Sequence, residues 1–229
     1  MTDHKLEAAK AASTLISSGQ TIGLGAGSTI AHLVNIIAQN PELASSLIFT
    51  SSSFKTTQLL SKHGLRIQSP ALLNQLDIYF DGCDQFDSEL NALKSGGGIH
   101  TTEKILASMA KEFIILGDDA KFEHQLNETY PLVIEILPQA LQIVLFKLKE
   151  LFPSATLTQR ISTQKDCALI SDNGNMLVDV QFTELPPPAQ LNTLVKMIPG
   201  VVEHSLFYQL ATKAIISGEN GIRTITPKR

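Results

Sequence analysis

Between residues 21 and 67 short apolar runs alternate with segments of helical period, and this alternation constrains the fold more than any other feature of the chain. Thr21-Ile22-Gly23-Leu24 reads as a buried strand, 28–37 as a helix, 47–50 as a strand, 56–63 as a helix stopped by Gly64, and Leu65-Arg66-Ile67 as a further strand. Ahead of them Leu6, Ala9, Ala12, Ser13 and Ile16 share one helical face that ends at Gly19. Such a series builds a mostly parallel sheet with helices on both faces, because parallel neighbours need a crossover between them. Ligands of these sheets sit at the carboxyl ends of strands, in the loops that lead into helices.

The pattern continues with a strand at 76–80 that delivers Asp81-Gly82-Cys83-Asp84, then a long connection to Lys94-Ser95-Gly96-Gly97-Gly98 and a helix at 102–111. A strand at 112–116 leaves through Gly117-Asp118-Asp119-Ala120-Lys121. Near residue 127 the organisation changes to strand 132–136, helix 138–151, strand 155–159, strands 168–171 and 176–180 around Asp172-Asn173-Gly174, helix 188–197 and strand 200–204. Asn-Gly between two strand-like runs is a hairpin signal. The order spells a split βαβ unit. The expectation is therefore a Rossmann-like α/β domain from 1–126 and 205–229, with a smaller α+β, ferredoxin-like domain inserted at 127–204. Strands at 213–217 and 222–225 return to the first sheet.

Charged residues are 17% of the 229, with a net charge of -4, so no basic surface draws the chain to nucleic acid. The most apolar stretch, 132–146, is interrupted by Glu135, Pro138, Gln139 and Gln142 and falls short of a membrane span. Cys83 and Cys167 are distant in sequence and lack a CxxC partner, and the opening Met-Thr-Asp-His-Lys has no apolar signal core. A cytoplasmic location is expected.

Gly23-Leu24-Gly25-Ala26-Gly27-Ser28-Thr29 joins a strand to a helix, where backbone N–H groups and the positive helix end suit a phosphate. No lysine precedes Ser28, so this is not a P-loop. Ser28 holds the third glycine place of a dinucleotide fingerprint, and the next strand ends in Ser51-Ser52-Ser53 without an acid for a ribose. The same glycines equally suit a tight turn alone. Asp81, Asp84, Lys94 and Glu103 form an unusual density of ionisable groups. A proton transfer between neighbouring carbons needs such a set: a carboxylate base, and donors that stabilise an enediolate. Each also has a plainer reading, since Glu103 in a first helical turn suits the macrodipole and Asp-Gly pairs suit turns. No two of the six histidines have metal-ligand spacing, so no metal is expected.

Taken in order, these motifs resemble the type A family of ribose-5-phosphate isomerases. The family's GTGST loop is similar to Gly25-Ala26-Gly27-Ser28-Thr29, its DGADE loop to Asp81-Gly82-Cys83-Asp84-Gln85, and its KGGG segment to Lys94-Ser95-Gly96-Gly97, followed by Glu103. Asp172-Asn173-Gly174-Asn175 and Ile198-Pro199-Gly200-Val201-Val202 extend the resemblance over the chain. It implies an aldose-ketose isomerase of the non-oxidative pentose phosphate pathway, without cofactor or metal, usually a homodimer. It implies Glu103 as the base, Asp81, Asp84 and Lys94 in ring opening and oxygen protonation, and Gly25, Ala26, Gly27, Ser28, Thr29 and Lys121 around the sugar phosphate. Gly82, Cys83, Ser95, Gly96 and Gly97 complete the expected substrate contacts. A sugar-phosphate sensor and an acyl-CoA transferase with a glutamate nucleophile are the competing classes. Ala26 stands where the family usually has Thr, and a lost hydroxyl to a charged group is worth ~1.5–3 kcal/mol. Ala26→Thr is expected to lower KM for the sugar phosphate; a level or raised KM in steady-state assays would contradict this.

Overall fold

The computed structural model describes residues 3–227. Asp3 caps helix α1 (His4–Ser13) by accepting from Lys5 and Leu6 N–H groups, and strand β1 (Thr21–Leu24) leads through the glycine loop into α2 (Ser28–Ala38). Helix α3 (Pro41–Ser46), capped by the Asn40 side chain and opened by Pro41, lies where no element is predicted. Strand β2 (Ile48–Ser51), helix α4 (Phe54–Lys62) and strand β3 (Leu76–Asp81) follow. The connection from Asp84 to Lys94 is a hairpin of two-residue strands, β4 (Gln85–Phe86) and β5 (Ala92–Leu93). Helix α5 (His100–Met109) starts two residues before the predicted Thr102 and runs into β6 (Ala110–Asp118). Then come β7 (Leu132–Ile136), α6 (Leu141–Leu151), β8 (Thr156–Gln159), β9 (Met176–Gln181), α7 (Pro188–Lys196) and β10 (Val201–His204). The chain closes with β11 (Leu206–Phe207), β12 (Lys213–Gly218) and β13 (Gly221–Ile225). Among the described residues no helix is long and apolar enough to cross a membrane.

Six strands form the first sheet in the order β13-β12-β6-β3-β1-β2, parallel except for the β12-β13 hairpin. Side chains alternate between its faces. Ile22, Leu24, Ile78, Phe80, Ile114 and Leu116 pack with α1, α2 and α4, while Tyr79, Phe113, Ile115 and Ile216 pack with α5 and Phe207. Each fully buried Phe or Ile among them contributes about 1.5–3 kcal/mol. The alternation predicted this mostly parallel sheet with helices on both faces.

The predicted strand at 65–67 is a single parallel bridge, Ile67 to Phe49, made by Phe49 N–H to Arg66 O and Gln68 N–H to Phe49 O, both 2.8 Å. Exposed on its outer side, the segment has no second neighbour to extend it. The predicted strand at 168–171 is likewise reduced to bridges from Ala168 to Ile161 and from Ile170 to Met176.

A second sheet, β10-β7-β9-β8, is antiparallel throughout, with Leu132, Ile134, Ile136, Val178 and Val180 packed against α6 and α7. The element order and strand order are those of a split βαβ unit. Its opposite face meets α5 through Glu135, which is buried and accepts from Ser171 Oγ (2.7 Å), Asn175 Nδ2 (2.8 Å), Asn173 Nδ2 (3.1 Å) and the Thr101 hydroxyl. These bonds draw the turn at 171–175 onto β7 and explain why 168–171 leaves the ladder. Burial opposes the charge on Glu135, but the four donors outweigh it and hold its pKa below the usual 4.5. A depressed carboxylate stabilises the fold above about 4.5 and ceases to do so as pH falls through its folded value. Glu135→Gln is expected to lose roughly 1–3 kcal/mol in urea unfolding at neutral pH. That deficit should narrow in acid; a constant deficit would refute the charged role.

Candidate active site

Four loops converge on the carboxyl edge of the first sheet. Gly25 leaves β1 with its N–H on Phe80 O (2.9 Å) and its carbonyl accepting from Thr56 Oγ1 (2.8 Å). A Cβ built on Gly25 would lie 1.9 Å from Asp81 Cγ, so the Asp81 carboxylate occupies the space that any other residue would fill. Gly27 follows at φ 101, a conformation that favours glycine, and turns the chain into α2 with no side chain to cap it. The N–H groups at the start of α2 therefore keep their capacity for an anion.

Asp81, at the end of β3 and fully buried, accepts from four donors: Tyr79 Oη (2.5 Å), Gly82 N–H (2.8 Å), Ala26 N–H (3.1 Å) and Lys94 Nζ (2.8 Å). Lys94 leaves β5 and also reaches Gly82 O and Glu103 Oε1, the latter at 3.3 Å. Glu103 projects from the first turn of α5 and is 5% exposed. Burial first, then the charge of Asp81, raises its pKa to about 8, against the opposing pull of Lys94. Burial works against the ammonium of Lys94, but Asp81 and Glu103 prevail and raise its pKa. The outcome is a carboxyl group able to exchange a proton near neutrality beside a fixed cation.

These side chains line a cavity of ≈ 230 Å³ with Ala26, Gly27, Gly82, Cys83, Asp84, Gly96, Gly97 and Lys121. Asp84 Oδ2 accepts from Ser95 N–H (2.5 Å) and Gly96 N–H (3.0 Å), and Lys121 Nζ donates to Cys83 O (2.6 Å). Eleven of the fifteen predicted residues thus line one cavity. Gly25 stands behind Asp81, Ser28 and Thr29 lie in the first turn of α2, and the Ser95 hydroxyl turns away to Pro131 O (2.6 Å). Among the described residues no cluster of three or more His, Cys, Asp or Glu is placed to hold a metal ion.

The family model for ribose 5-phosphate isomerase A (phosphoriboisomerase A) matches residues 48–221. This chain belongs to the ribose-5-phosphate isomerase A family. It is 36% identical to ribose-5-phosphate isomerase A of Methanosarcina acetivorans over 227 residues, covering 99% of this chain and 95% of that one. The solved ribose 5-phosphate isomerase A of Methanocaldococcus jannaschii superposes with a TM-score of 0.90 at 32% identity, covering 98% of both chains. A D-ribose-5-phosphate isomerase solved in complex with phospho-erythronic acid gives 0.92 at 30% identity, over 99% of this chain and 100% of that one.

Among the side chains that depart from the motifs of ribose-5-phosphate isomerase A, Gln85 and Ser95 have hydrogen-bond partners of their own. Gln85 donates to Asn127 Oδ1 (2.7 Å) and accepts from Asn127 N–H (2.9 Å), which ties β4 to the loop before β7. Cys83 meets Lys121 through its carbonyl, and burial pushes its thiol up to about 12. Two residues escaped the sequence reading. Tyr79 reads as core in an apolar strand, and Arg160 of the second sheet reaches the Ser95 and Gly96 carbonyls from 64 or more positions away. The Asp81-Tyr79 spacing of two, which puts both on one strand face, is the signal that was available for Tyr79. The native enzyme should take up one iodoacetamide per chain, at exposed Cys167, and keep its activity; mass spectrometry finding Cys83 alkylated first would contradict the buried thiol.

Proposed function

We propose that this cavity interconverts D-ribose 5-phosphate and D-ribulose 5-phosphate by proton transfer through an enediolate, in the non-oxidative pentose phosphate pathway. The observation that carries the reading is buried Glu103 with its raised pKa beside Lys94 in a pocket of this family. The start of α2, with Ala26, Gly27, Ser28 and Thr29, and the Lys121 ammonium hold the phosphate. That leaves the open sugar chain extended toward Glu103.

Glu103 as carboxylate removes the C2 proton of the open aldose. The electron pair forms the C1–C2 double bond, and the carbonyl oxygen on C1 becomes anionic. Lys94 stands within reach of that charge, and Gly96 and Gly97 line the same cavity. The protonated Glu103 then returns its proton to C1 while the O2 proton leaves and O1 gains one, which gives the ketose. Asp81 and Asp84, with Lys94, serve ring opening and the oxygen protons, and Gly82 and Cys83 shape the substrate side.

The same reading takes 1–126 with 205–229 as the catalytic domain and 127–204 as an inserted one, supported by the separate sheet and apolar cluster of the second. It takes the enzyme as a cytoplasmic homodimer, the habit of the family.

Because the reaction begins with Glu103 deprotonated, kcat/KM should fall as pH drops below about 8. Glu103→Gln should lower kcat by about 10²–10⁴, and a chelator should leave the wild type unaffected. A profile flat down to the ordinary carboxylate range, or an active Glu103→Gln, would remove Glu103 from this role.

A further inference from the structure

We infer that Arg160, which follows a strand of the second sheet and lies outside the cavity lining, is a positioning residue that aims the Gly97 N–H into the reaction space. The inference rests on the isomerase reading above. Arg160 directly follows β8, and its Nε is fixed by Asp179 Oδ1 of β9 at 2.8 Å. Its Nη2 then donates to Ser95 O and its Nη1 to Gly96 O at 3.3 Å. One planar fork thus holds two successive carbonyls of a glycine-rich loop.

The direction of the amides follows from the peptide geometry. Among the described residues every peptide bond is trans, so each amide N–H points opposite to its carbonyl. The Ser95–Gly96 peptide demonstrates the arrangement. Its carbonyl faces Arg160, and its N–H faces Asp84 Oδ2 (3.0 Å), a cavity residue. The next peptide repeats the orientation of its carbonyl toward Arg160, so the Gly97 N–H turns toward the cavity that Gly96 and Gly97 line. Gly96 N–H is committed to Asp84, whereas Gly97 N–H is aimed at the place where the enediolate oxygen develops its charge. A loop with three successive glycines does not hold a peptide plane by itself. Arg160 supplies that rigidity from a distant part of the chain.

The test compares wild type, Arg160→Met and Arg160→Lys, each checked for native unfolding in urea. Readouts are kcat and KM for D-ribose 5-phosphate, and binding of phospho-erythronate and inorganic phosphate. Phospho-erythronate carries a planar carboxylate where the enediolate would form, and phosphate probes only the other end of the site. Arg160→Met should lose about 10- to 100-fold in kcat, less than the full effect of deleting an oxyanion donor, with KM within about threefold. Phospho-erythronate should weaken by a similar factor and inorganic phosphate hold its affinity. Arg160→Lys, which keeps the cation but not the fork, should fall between Arg160→Met and wild type. If Arg160→Met fails to fold, Arg160→Lys with reduced kcat and unchanged phosphate binding gives the same answer. A folded variant with kcat within about twofold of wild type overturns the inference, as does equal weakening of phosphate and phospho-erythronate. Absence of conversion by the wild type would remove the isomerase reading itself, and this inference with it.

Discussion

The Lys94 ammonium enclosed between Asp81 and Glu103 is the contact around which the carboxyl edge of the sheet is organised. Taking such charges out of water costs several kcal/mol per ion, which attraction offsets only when the remaining lone pairs and protons also find partners. Here Tyr79, Ala26 and Gly82 supply donors to Asp81, and the Gly82 carbonyl takes a further Lys94 proton. The arrangement requires β1 and β3 to end side by side and the β4-β5 hairpin to end within reach of the Lys94 side chain. It also requires that Gly25 present no side chain. The residual imbalance, two carboxyl groups facing one cation in a buried place, is what raises the proton affinity of Glu103.

The second sheet takes part in this arrangement without lining the cavity. Between Lys94 and Glu103 the chain has three glycines and little apolar material with which to fix its own path. Glu135 grips the Thr101 hydroxyl at one end of the stretch, and Arg160 grips the Ser95 and Gly96 carbonyls at the other. The turn at 171–175 completes the Glu135 shell, so the resemblance at Asp172-Asn173-Gly174-Asn175 has a physical basis in anchoring a carboxylate.

Legibility in the sequence followed the range of the interactions. The β1-α2 and β3 segments were readable because periodicity and glycine placement are local, and Asp81, Asp84, Lys94 and Glu103 followed from the loops that these elements imply. Helix α3 was also readable, from Asn40 as cap and Pro41 at the first turn, but six residues make too short a period to stand out. The segment at 65–67 has the residues of a strand and lacks a neighbour on its outer side, which no local pattern reveals. Strand β5, which pairs with β4 on one side, is held on the other by β11 from more than a hundred positions away. Arg160 was hidden for the same reason, since its role is set by the packing of one sheet on another.

From Ile78 to its end strand β3 alternates, with Ile78 and Phe80 on the side of α1 and α2, and Tyr79 and Asp81 on the side of α5. The Asp81-Lys94-Glu103 cluster thus depends on the parity of a single strand. Adding or removing one residue within β3 would preserve its hydrogen-bonded ladder and still carry the Asp81 carboxylate through the sheet to the opposite face, away from Lys94 and Glu103. Within β3 any tolerated change in length would thereby come in pairs of residues.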